Sequence, residues 1–286
     1  MRSKWFVLFS LLVMVSMVLA ACGQATEAPA TEAPATEAPT EAPVATEVPV
    51  QDLTINLGTY PDLLDPQKAS FVNEIAHIKL VYEGLTRLDA NLETVPGAAE
   101  KWEYSADLKE LTFTLREGLT YSDGTPLNAK RFEFSLLRNL DPAVAGEYSG
   151  ITDEIVGAAE YRTADLTTVT PEQLEALKAA VGVKALDKAG NACTGYDQAD
   201  CLTLKITLKQ PAPYFHTVMG LWVTYPAKEE LITEGGETWW NEAKYHVGNG
   251  PMALSILEPS TQAVFVPNEN YWRGKAKINV IFKYIT

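Results

Sequence analysis

The chain has 286 residues, of which 47% are hydrophobic and 21% charged, and its formal net charge at pH 7 is −14. This composition is that of a globular protein, and it excludes a disordered chain, a disulfide-dense miniprotein and a membrane protein with many spans. The acidic balance also argues against a nucleic acid as partner, because proteins that follow phosphates need a basic face.

The N-terminal segment has the pattern of an export signal. Arg2 and Lys4 precede the apolar run Trp5–Leu19, which is typical of a secretory signal peptide. The alternative is a retained transmembrane helix, since the run lies at the lower edge of spanning length. The sequence Leu19-Ala20-Ala21-Cys22 resembles the bacterial lipobox. We therefore predict a lipoprotein signal peptide over 1–21 and a lipidated Cys22 that holds the protein at a membrane.

Residues 22–50 comprise Cys22 and a tether. The segment repeats Ala-Thr-Glu-Ala-Pro with small variations and contains no Lys, Arg or aromatic residue. Such a composition cannot bury a core, and regularly spaced Pro favours extended polyproline-like conformations. The globular part is expected to begin at Gln51.

Residues 51–140 alternate short strands with two helices. Alternating apolar residues predict a first strand over 53–57, and a helical period over 71–85 predicts a helix that packs on this strand. Asn128 is expected to cap a second helix that ends near Leu140. Further strands are predicted at Thr86–Leu88, Lys101–Tyr104 and Leu111–Arg116.

The second half is also mixed. A helix is predicted over 151–161, and the capping box at 170–173, with Pro171 at its first helical position, predicts another helix that ends near Ala180. A short helical stretch is expected over 213–219. Strands are predicted over 183–186, 202–208, 252–257, 263–266 and 278–285. This mixture indicates an α/β or α+β protein.

Short motifs, in a fixed order, resemble the extracytoplasmic solute-binding proteins of family 5, the peptide and nickel class that serves ABC importers. Each motif alone is weak, but together they extend over the whole globular part and follow a lipobox. The segments that carry the resemblance are Leu64-Asp65-Pro66, Tyr82-Glu83-Gly84-Leu85, 96–103, 111–118, 121–126, 183–187, 211–215, Gly248-Asn249-Gly250-Pro251 and 267–272.

The resemblance implies an α/β fold, namely the first lobe of a periplasmic-binding-protein-like class II clamshell, in which a mixed sheet packs with helices. Residues 51–286 would form this N-terminal lobe, with a core subdomain of about 51–82 and 183–286 and a second subdomain of about 83–182. Residues 281–286 resemble the strand that leads into the hinge between the two lobes. Because relatives are roughly twice as long, the second lobe is expected to be missing from these 286 residues.

The resemblance also implies where a ligand would touch this lobe. In oligopeptide-binding members an extended peptide lies between the lobes and pairs with strand-like segments. In this sequence the pairing positions on the first lobe correspond to Ser70, Phe71 and Val72. The better characterised members have an acidic residue at the first of these positions, and Ser70 departs from that. The alternative is that Phe71 and Val72 do not contact a ligand but only begin a helix and pack in the protein interior. Met252 stands where an aromatic usually follows the Gly-X-Gly-Pro element. The implied ligand contacts are Ser70, Phe71, Val72, Tyr148 and Met252.

Cys193 and Cys201 are the only thiols left once Cys22 is acylated, and the exported compartment permits their oxidation. We predict a disulfide between them, the alternative being two reduced thiols on a mobile loop. The three histidines, His77, His216 and His246, belong to no metal or catalytic motif. We expect each to be satisfied or solvent-facing, with no metal site and no cofactor.

The resemblance therefore implies a substrate-binding lipoprotein that captures an oligopeptide or dipeptide for transmembrane import. Its expected partners are a peptide or other small solute, ABC permease subunits and the membrane through the lipid anchor. It would be a monomer on the outer face of the bacterial cell membrane and not an enzyme. Nickel complexes and oligosaccharides are alternative ligands within the family. An exported hydrolase and a surface interaction module are the alternatives from other classes.

Overall fold

The computed structural model describes residues 50–285, which form three β-sheets and the helices that connect them. The predicted signal peptide, Cys22 and nearly all of the tether lie outside the described residues. The strands are β1 (Gln51–Asn56), β2 (Thr86–Leu88), β3 (Thr94–Pro96), β4 (Ala99–Tyr104), β5 (Glu110–Leu115), β6 (Val183–Leu186), β7 (Thr203–Thr207), β8 (Met252–Glu258), β9 (Gln262–Pro267) and β10 (Ile278–Lys283). The α-helices are α1 (Val72–Val81), α2 (Ala129–Asn139), α3 (Ala158–Arg162), α4 (Pro171–Ala180), α5 (Phe215–Val218) and α6 (Glu229–Gly235).

The first sheet has the strand order β1-β10-β9-β8. β1 pairs in parallel with β10, whereas the other neighbours are antiparallel. Gln51 faces Ile278 and Asn56 faces Lys283, so the start of the described chain lies beside its end. β1 is an edge strand, and all six of its side chains are exposed. The predicted packing of the first helix on this strand is wrong, because α1 packs on the other strands of the sheet, against Phe265.

The second large sheet has the order β4-β5-β7-β6 and is antiparallel throughout. The predicted subdomain boundary at Val183 is wrong, since β6 and β7 belong to this sheet and not to the sheet of β1 and β8–β10. Phe113 in β5 faces Leu204 in β7, and both side chains are fully buried. Pairing between strands so far apart in the chain is not visible in local periodicity.

Each large sheet supports its own core. The buried face of α2 contains Phe132, Leu136 and the following Leu140, as the sequence predicts, and it packs on the second sheet. Asn128 caps this helix, because its side chain accepts a hydrogen bond from the backbone N–H of Lys130 at 3.1 Å. The core of the first sheet includes Phe265 and other buried apolar residues from α1 and β8–β10.

A single helix over 151–161 is not formed. A 3₁₀ turn covers Ser149–Thr152, and α3 begins only at Ala158. Gly157 separates the two, since its φ of 73° is left-handed and ends any continuous helix there. A Cβ at this position would also lie 2.8 Å from the carbonyl oxygen of Ala180. Elsewhere the prediction is closer, as the capping box at Thr170 and Gln173 is present at the start of α4.

Within residues 50–285, no helix combines the length and the apolar character that a membrane crossing requires.

Candidate functional site

A buried ion pair fixes the loop that precedes α1. The carboxylate of Asp65 is fully buried and accepts hydrogen bonds from the guanidinium of Arg138 at 2.7 and 2.5 Å. The indole nitrogen of Trp239 donates to the same carboxylate at 3.3 Å. Removing either charge would leave the other without compensation in the core, so the Asp-Pro motif has a structural role here.

Gln67 connects this loop to a second segment. Its side-chain amide donates to the carbonyl oxygens of Val223 at 3.3 Å and Tyr225 at 3.1 Å. Its side-chain oxygen accepts from Arg138 at 2.7 Å. A third segment is also close, because a Cβ at Gly146 would lie 2.0 Å from the carbonyl oxygen of Gln67. The chain around 67, 146 and 223 is thus held together by hydrogen bonds and close backbone contact.

An exposed aromatic patch lies where these three segments meet. Trp222 donates from its indole nitrogen to the carbonyl oxygen of Ala69 at 2.8 Å. The ring of Tyr148 meets that of Trp222 edge to face, with centroids 5.1 Å apart. Tyr148 itself is 42% exposed. We use the term Trp222 surface for the residues Ser70, Phe71, Val72, Tyr148 and Trp222.

The segment from Ser70 to Val72 begins α1 without packing into the core. The side chain of Glu74 accepts hydrogen bonds from the backbone N–H groups of Ser70 at 2.8 Å and Phe71 at 3.0 Å. Phe71 has an extended backbone and is 62% exposed, and Val72 is 84% exposed. The alternative that these two side chains pack is therefore wrong. Helix geometry leaves the N–H of Val72 without an intrahelical acceptor.

Met252 does not belong to this surface. Its side chain is 3% exposed and packs in the core of the first sheet. Side chains alternate along β8, and the first position of the strand points inward. The predicted ligand contact of the Met252 side chain is wrong in this structure. Trp222, by contrast, belongs to the surface although no local motif in the sequence marks it.

A second buried network connects three other motifs. The carboxylate of Glu83 accepts hydrogen bonds from the hydroxyl of Tyr271 at 2.8 Å and the indole nitrogen of Trp272 at 2.6 Å. Burial raises the pKa of Glu83 above its usual range, although these two donors oppose the effect. Asn249 uses its side chain to pair with the backbone N–H and the carbonyl oxygen of Glu83, both at 3.0 Å.

Glycine is required beside this network. A Cβ at Gly248 would lie 2.0 Å from the carbonyl oxygen of Val81, and a Cβ at Gly250 would lie 2.7 Å from the backbone nitrogen of Tyr82. The Gly-Asn-Gly-Pro element therefore packs directly on the last residue of α1 and on the residue that follows it. Like the Asp-Pro motif, it builds the scaffold.

Cys193 and Cys201 form a disulfide with a Cα–Cα distance of 5.8 Å, and both residues are buried. The loop that they close contacts the start of α2. Asn128 donates from its side chain to the carbonyl oxygens of Gly195 at 3.0 Å and Gln198 at 3.2 Å. The disulfide thus anchors a loop that supports the N-terminal end of α2.

The three histidines each have partners of their own. His77 hydrogen-bonds to the carbonyl oxygen of Asn73 and to the hydroxyl of Tyr284, both at 2.6 Å. His216 stacks on Trp102, and His246 hydrogen-bonds to the carbonyl oxygen of Trp240 at 2.7 Å. Among the described residues, no group of three or more His, Cys, Asp or Glu side chains is arranged to hold a metal.

Comparison with known proteins decides the family. The model of the bacterial extracellular solute-binding proteins, family 5 Middle, matches residues 93–286, which is more than half of the chain. The chain belongs to this family. It is 31% identical over 222 residues to the periplasmic murein peptide-binding protein MppA of Escherichia coli, which covers 78% of the chain and 37% of MppA. It is 29% identical over 283 residues to the oligopeptide-binding protein OppA of Bacillus subtilis, which covers 98% of the chain and 46% of OppA.

Solved structures give the same result for the fold. The family 5 chain superposes on the unliganded open form of the murein tripeptide-binding protein MppA with a TM-score of 0.68 at 28% identity. It superposes on Haemophilus influenzae OppA in complex with the peptide RPPGFSPFR with a TM-score of 0.68 at 26% identity. These matches cover 83% and 82% of the chain and 42% of each solved chain. The fold is thus α/β, of the periplasmic-binding-protein-like class II type, and spans one lobe.

Proposed function

We propose that this chain supplies one wall of a peptide-binding cleft in an extracytoplasmic receptor of an ABC importer. The observation that carries the proposal is the Trp222 surface, where the side chains of Phe71, Val72 and Tyr148 are exposed. The hydrogen bond from Trp222 to the carbonyl oxygen of Ala69 fixes the backbone beneath this surface. Exposed apolar groups on a rigid support are typical of a binding site. Relatives named as peptide-binding proteins support a peptide as the ligand.

The surface suits an extended peptide. The N–H of Val72 is free of intrahelical bonding, and the neighbouring N–H groups are held in place by Glu74. A peptide carbonyl can accept from Val72, while apolar side chains of the peptide pack on Phe71 and Tyr148. Main-chain hydrogen bonds give affinity with little dependence on sequence, and the aromatic rings set the preference for side chains.

Capture is proposed to occur by closure of two lobes. A ligand stabilises the closed form only if it binds that form better than the open one, which requires contacts from both sides. The chain spans less than half the length of the relatives named above. The Trp222 surface therefore acts as the first contact, and a facing lobe completes the enclosure. The closed form then binds the permease subunits of the importer.

We further propose that the receptor is a monomeric lipoprotein with Cys22 as its acylated N-terminus. The lipobox-like sequence at 19–22 and the tether after it support this localisation on the outer face of the cell membrane. No reaction on the ligand is proposed, because the family and the relatives named above are described as solute-binding and peptide-binding proteins. Neither a metal nor a cofactor is required for capture.

The test uses the full-length gene product expressed without residues 1–22, so that it carries neither the apolar signal segment nor the acylation site, in calorimetric titration with tri- to pentapeptides. We expect saturable binding with the peptides recovered intact, and about tenfold weaker binding in Tyr148→Ala. Tyr214→Ala is the matched control, since Tyr214 is also exposed but contacts Glu154.

Three outcomes would overturn the proposal. One is binding of a nickel–histidine complex or maltotriose with no binding of peptides. Another is cleavage of the peptides, which would indicate a hydrolase. The third is equal peptide affinity of the isolated 51–286 segment and the intact product, because closure between two lobes would then contribute nothing. Palmitate labelling that persists in Cys22→Ser would separately exclude Cys22 as the acylated residue.

A further inference from the structure

A cavity of about 400 Å³ lies at the C-terminal end of α1, at the other end of this helix from Ser70, Phe71 and Val72. Lys79 and Glu83, at and just after the end of the helix, line it on one side, and Arg87 in β2 lines it on another. Apolar contacts come from Leu88 and Leu221. This volume lies within the range of sites for small molecules, and the lining combines apolar surface with a few polar groups.

The guanidinium of Arg87 is incompletely satisfied. Its Nε is buried and has no hydrogen-bond partner among residues 50–285. The nearest carboxylate oxygen, Oε1 of Glu83, is 3.9 Å away, which is too far for a hydrogen bond. A buried donor without an acceptor costs free energy, so such a group indicates a position where an acceptor binds.

Glu83 cannot supply that acceptor without losing partners of its own. Its Oε1 already accepts from the hydroxyl of Tyr271, and its Oε2 accepts from the indole nitrogen of Trp272. Asn249 holds the backbone of Glu83 from both its N–H and its carbonyl oxygen. The carboxylate of Glu83 is therefore fixed away from Arg87. A rotation of Glu83 toward the Arg87 donor would break the hydrogen bonds with Tyr271 and Trp272.

The charges at the cavity favour an anion. Lys79 and Arg87 are both cationic, and Lys79 forms no ion pair with any residue that the structure describes. Glu83 offsets only one of the two charges. This excess of positive charge occurs in a chain whose overall net charge is −14. A guanidinium presents two parallel donors that match a carboxylate, and an ammonium adds a point charge.

We propose that this cavity binds a small organic carboxylate, with the carboxylate on Arg87 and Lys79 and the apolar body against Leu88 and Leu221. The cavity lies at the other end of the ten-residue helix α1 from Ser70, Phe71 and Val72, and its wall residue Leu221 is the chain neighbour of Trp222. It does not depend on the proposed peptide receptor function. The aromatic side chain of Tyr271 adds a flat wall, which suits an aromatic or branched ligand.

Sodium benzoate is the probe, and benzamide is its uncharged counterpart of the same shape. In calorimetric titration of the purified protein at pH 7, we expect saturable binding of benzoate and at least tenfold weaker binding of benzamide. Arg87→Gln should weaken benzoate binding about tenfold, and Lys79→Gln should weaken it severalfold. Arg87→Lys should retain part of the affinity. Lys209→Gln, an exposed lysine elsewhere, should leave it unchanged.

Two variants distinguish binding at this cavity from peptide binding at the Trp222 surface. Tyr148→Ala should leave benzoate binding unchanged, and Arg87→Gln should leave peptide binding unchanged. If Arg87→Gln fails to fold, Lys79→Gln decides, because Lys79 is exposed and its replacement does not disturb the core. Equal binding of benzoate and benzamide, unchanged benzoate affinity in the cation variants, or no saturation would each overturn the proposal.

Discussion

The indole nitrogen of Trp222 donates a hydrogen bond to the carbonyl oxygen of Ala69 at 2.8 Å, across 153 positions of sequence. This contact fixes the residue before Ser70 to the segment that supports Tyr148. The exposed side chains of Phe71 and Val72 therefore extend from a backbone whose position is fixed by the hydrogen bond between Trp222 and Ala69. Preorganisation of this kind lowers the entropic cost of binding, because less of the surface must be ordered by the ligand.

Trp222→Phe should keep the aromatic contact with Tyr148 and remove only the hydrogen bond to Ala69. We expect a loss of about 1 kcal/mol in the free energy of unfolding, which urea titration measures. Peptide binding should weaken as well, because Ser70 to Val72 lose their support. Trp240→Phe provides a control at another partly buried tryptophan whose ring nitrogen makes no hydrogen bond within residues 50–285. Equal stability of Trp222→Phe and the parent protein would contradict a structural role for the contact.

Asp65→Asn should be strongly destabilising. The carboxylate is fully buried and its partner Arg138 is 11% exposed, so removal of one charge leaves the other without compensation. We expect a loss of about 3 kcal/mol in the free energy of unfolding. Asp153→Asn is the matched control, since it breaks a similar pair with Arg162 whose side chains are 28% and 29% exposed.

The control should cost at most about 1 kcal/mol, because water screens a partly exposed pair. Similar losses in the two variants would mean that burial does not decide the strength of these ion pairs. Urea titration at pH 7 measures both variants.

Local patterns in the sequence predict the elements better than they predict the contacts. The alternation over Leu111–Leu115 and the cap at Asn128 depend on neighbouring residues, and both are confirmed. The exposure of β1, the pairing of β5 with β7 and the burial of Met252 depend on segments far away in the chain. No local period contains that information.

The candidate site shows the same division. The resemblance places Ser70 and Tyr148 near each other, and the structure does bring their segments together through Trp222. Trp222 itself has no motif, because its role follows only from the fold. Arg87 is similar, since an unpaired buried donor is visible only when its surroundings are known.

Cys193→Ser with Cys201→Ser should lower the free energy of unfolding by about 2–3 kcal/mol, because the disulfide restricts the unfolded chain. The closed loop also contacts Asn128 at the start of α2. Mass spectrometry of the non-reduced protein should show a mass lower than that of the dithiol by two hydrogen atoms. Two freely alkylatable thiols in the mature protein would contradict the predicted disulfide.

Gly248→Ala should destabilise the protein by more than about 2 kcal/mol or prevent folding, because its Cβ would overlap the carbonyl oxygen of Val81. Gly150→Ala is the control, since the nearest atom to its Cβ is 3.6 Å away and belongs to the side chain of Arg162. Thermal unfolding compares the two. A tolerated Gly248→Ala would show that the Gly-Asn-Gly-Pro element can move away from α1.

Acidification should destabilise the fold through two buried histidines. Burial lowers the pKa of His77 to about 4, and burial also lowers the pKa of His246 to about 4. In the unfolded chain both titrate near 6.5, so the unfolded state binds more protons than the folded state below that pH. Stability is therefore fully present above about pH 6.5 and declines as the pH falls toward 4.

We expect each histidine to lower the free energy of unfolding by about 2 kcal/mol between pH 7 and pH 5. Urea titration at several pH values measures the slope. His77→Gln loses the hydrogen bond between His77 and Tyr284, so its stability at pH 7 should be lower than that of the parent. Its loss between pH 7 and pH 5 should nevertheless be smaller by about 2 kcal/mol, because one titrating group is gone. A slope identical to that of the parent would mean that His77 is not kept neutral by burial in the folded protein.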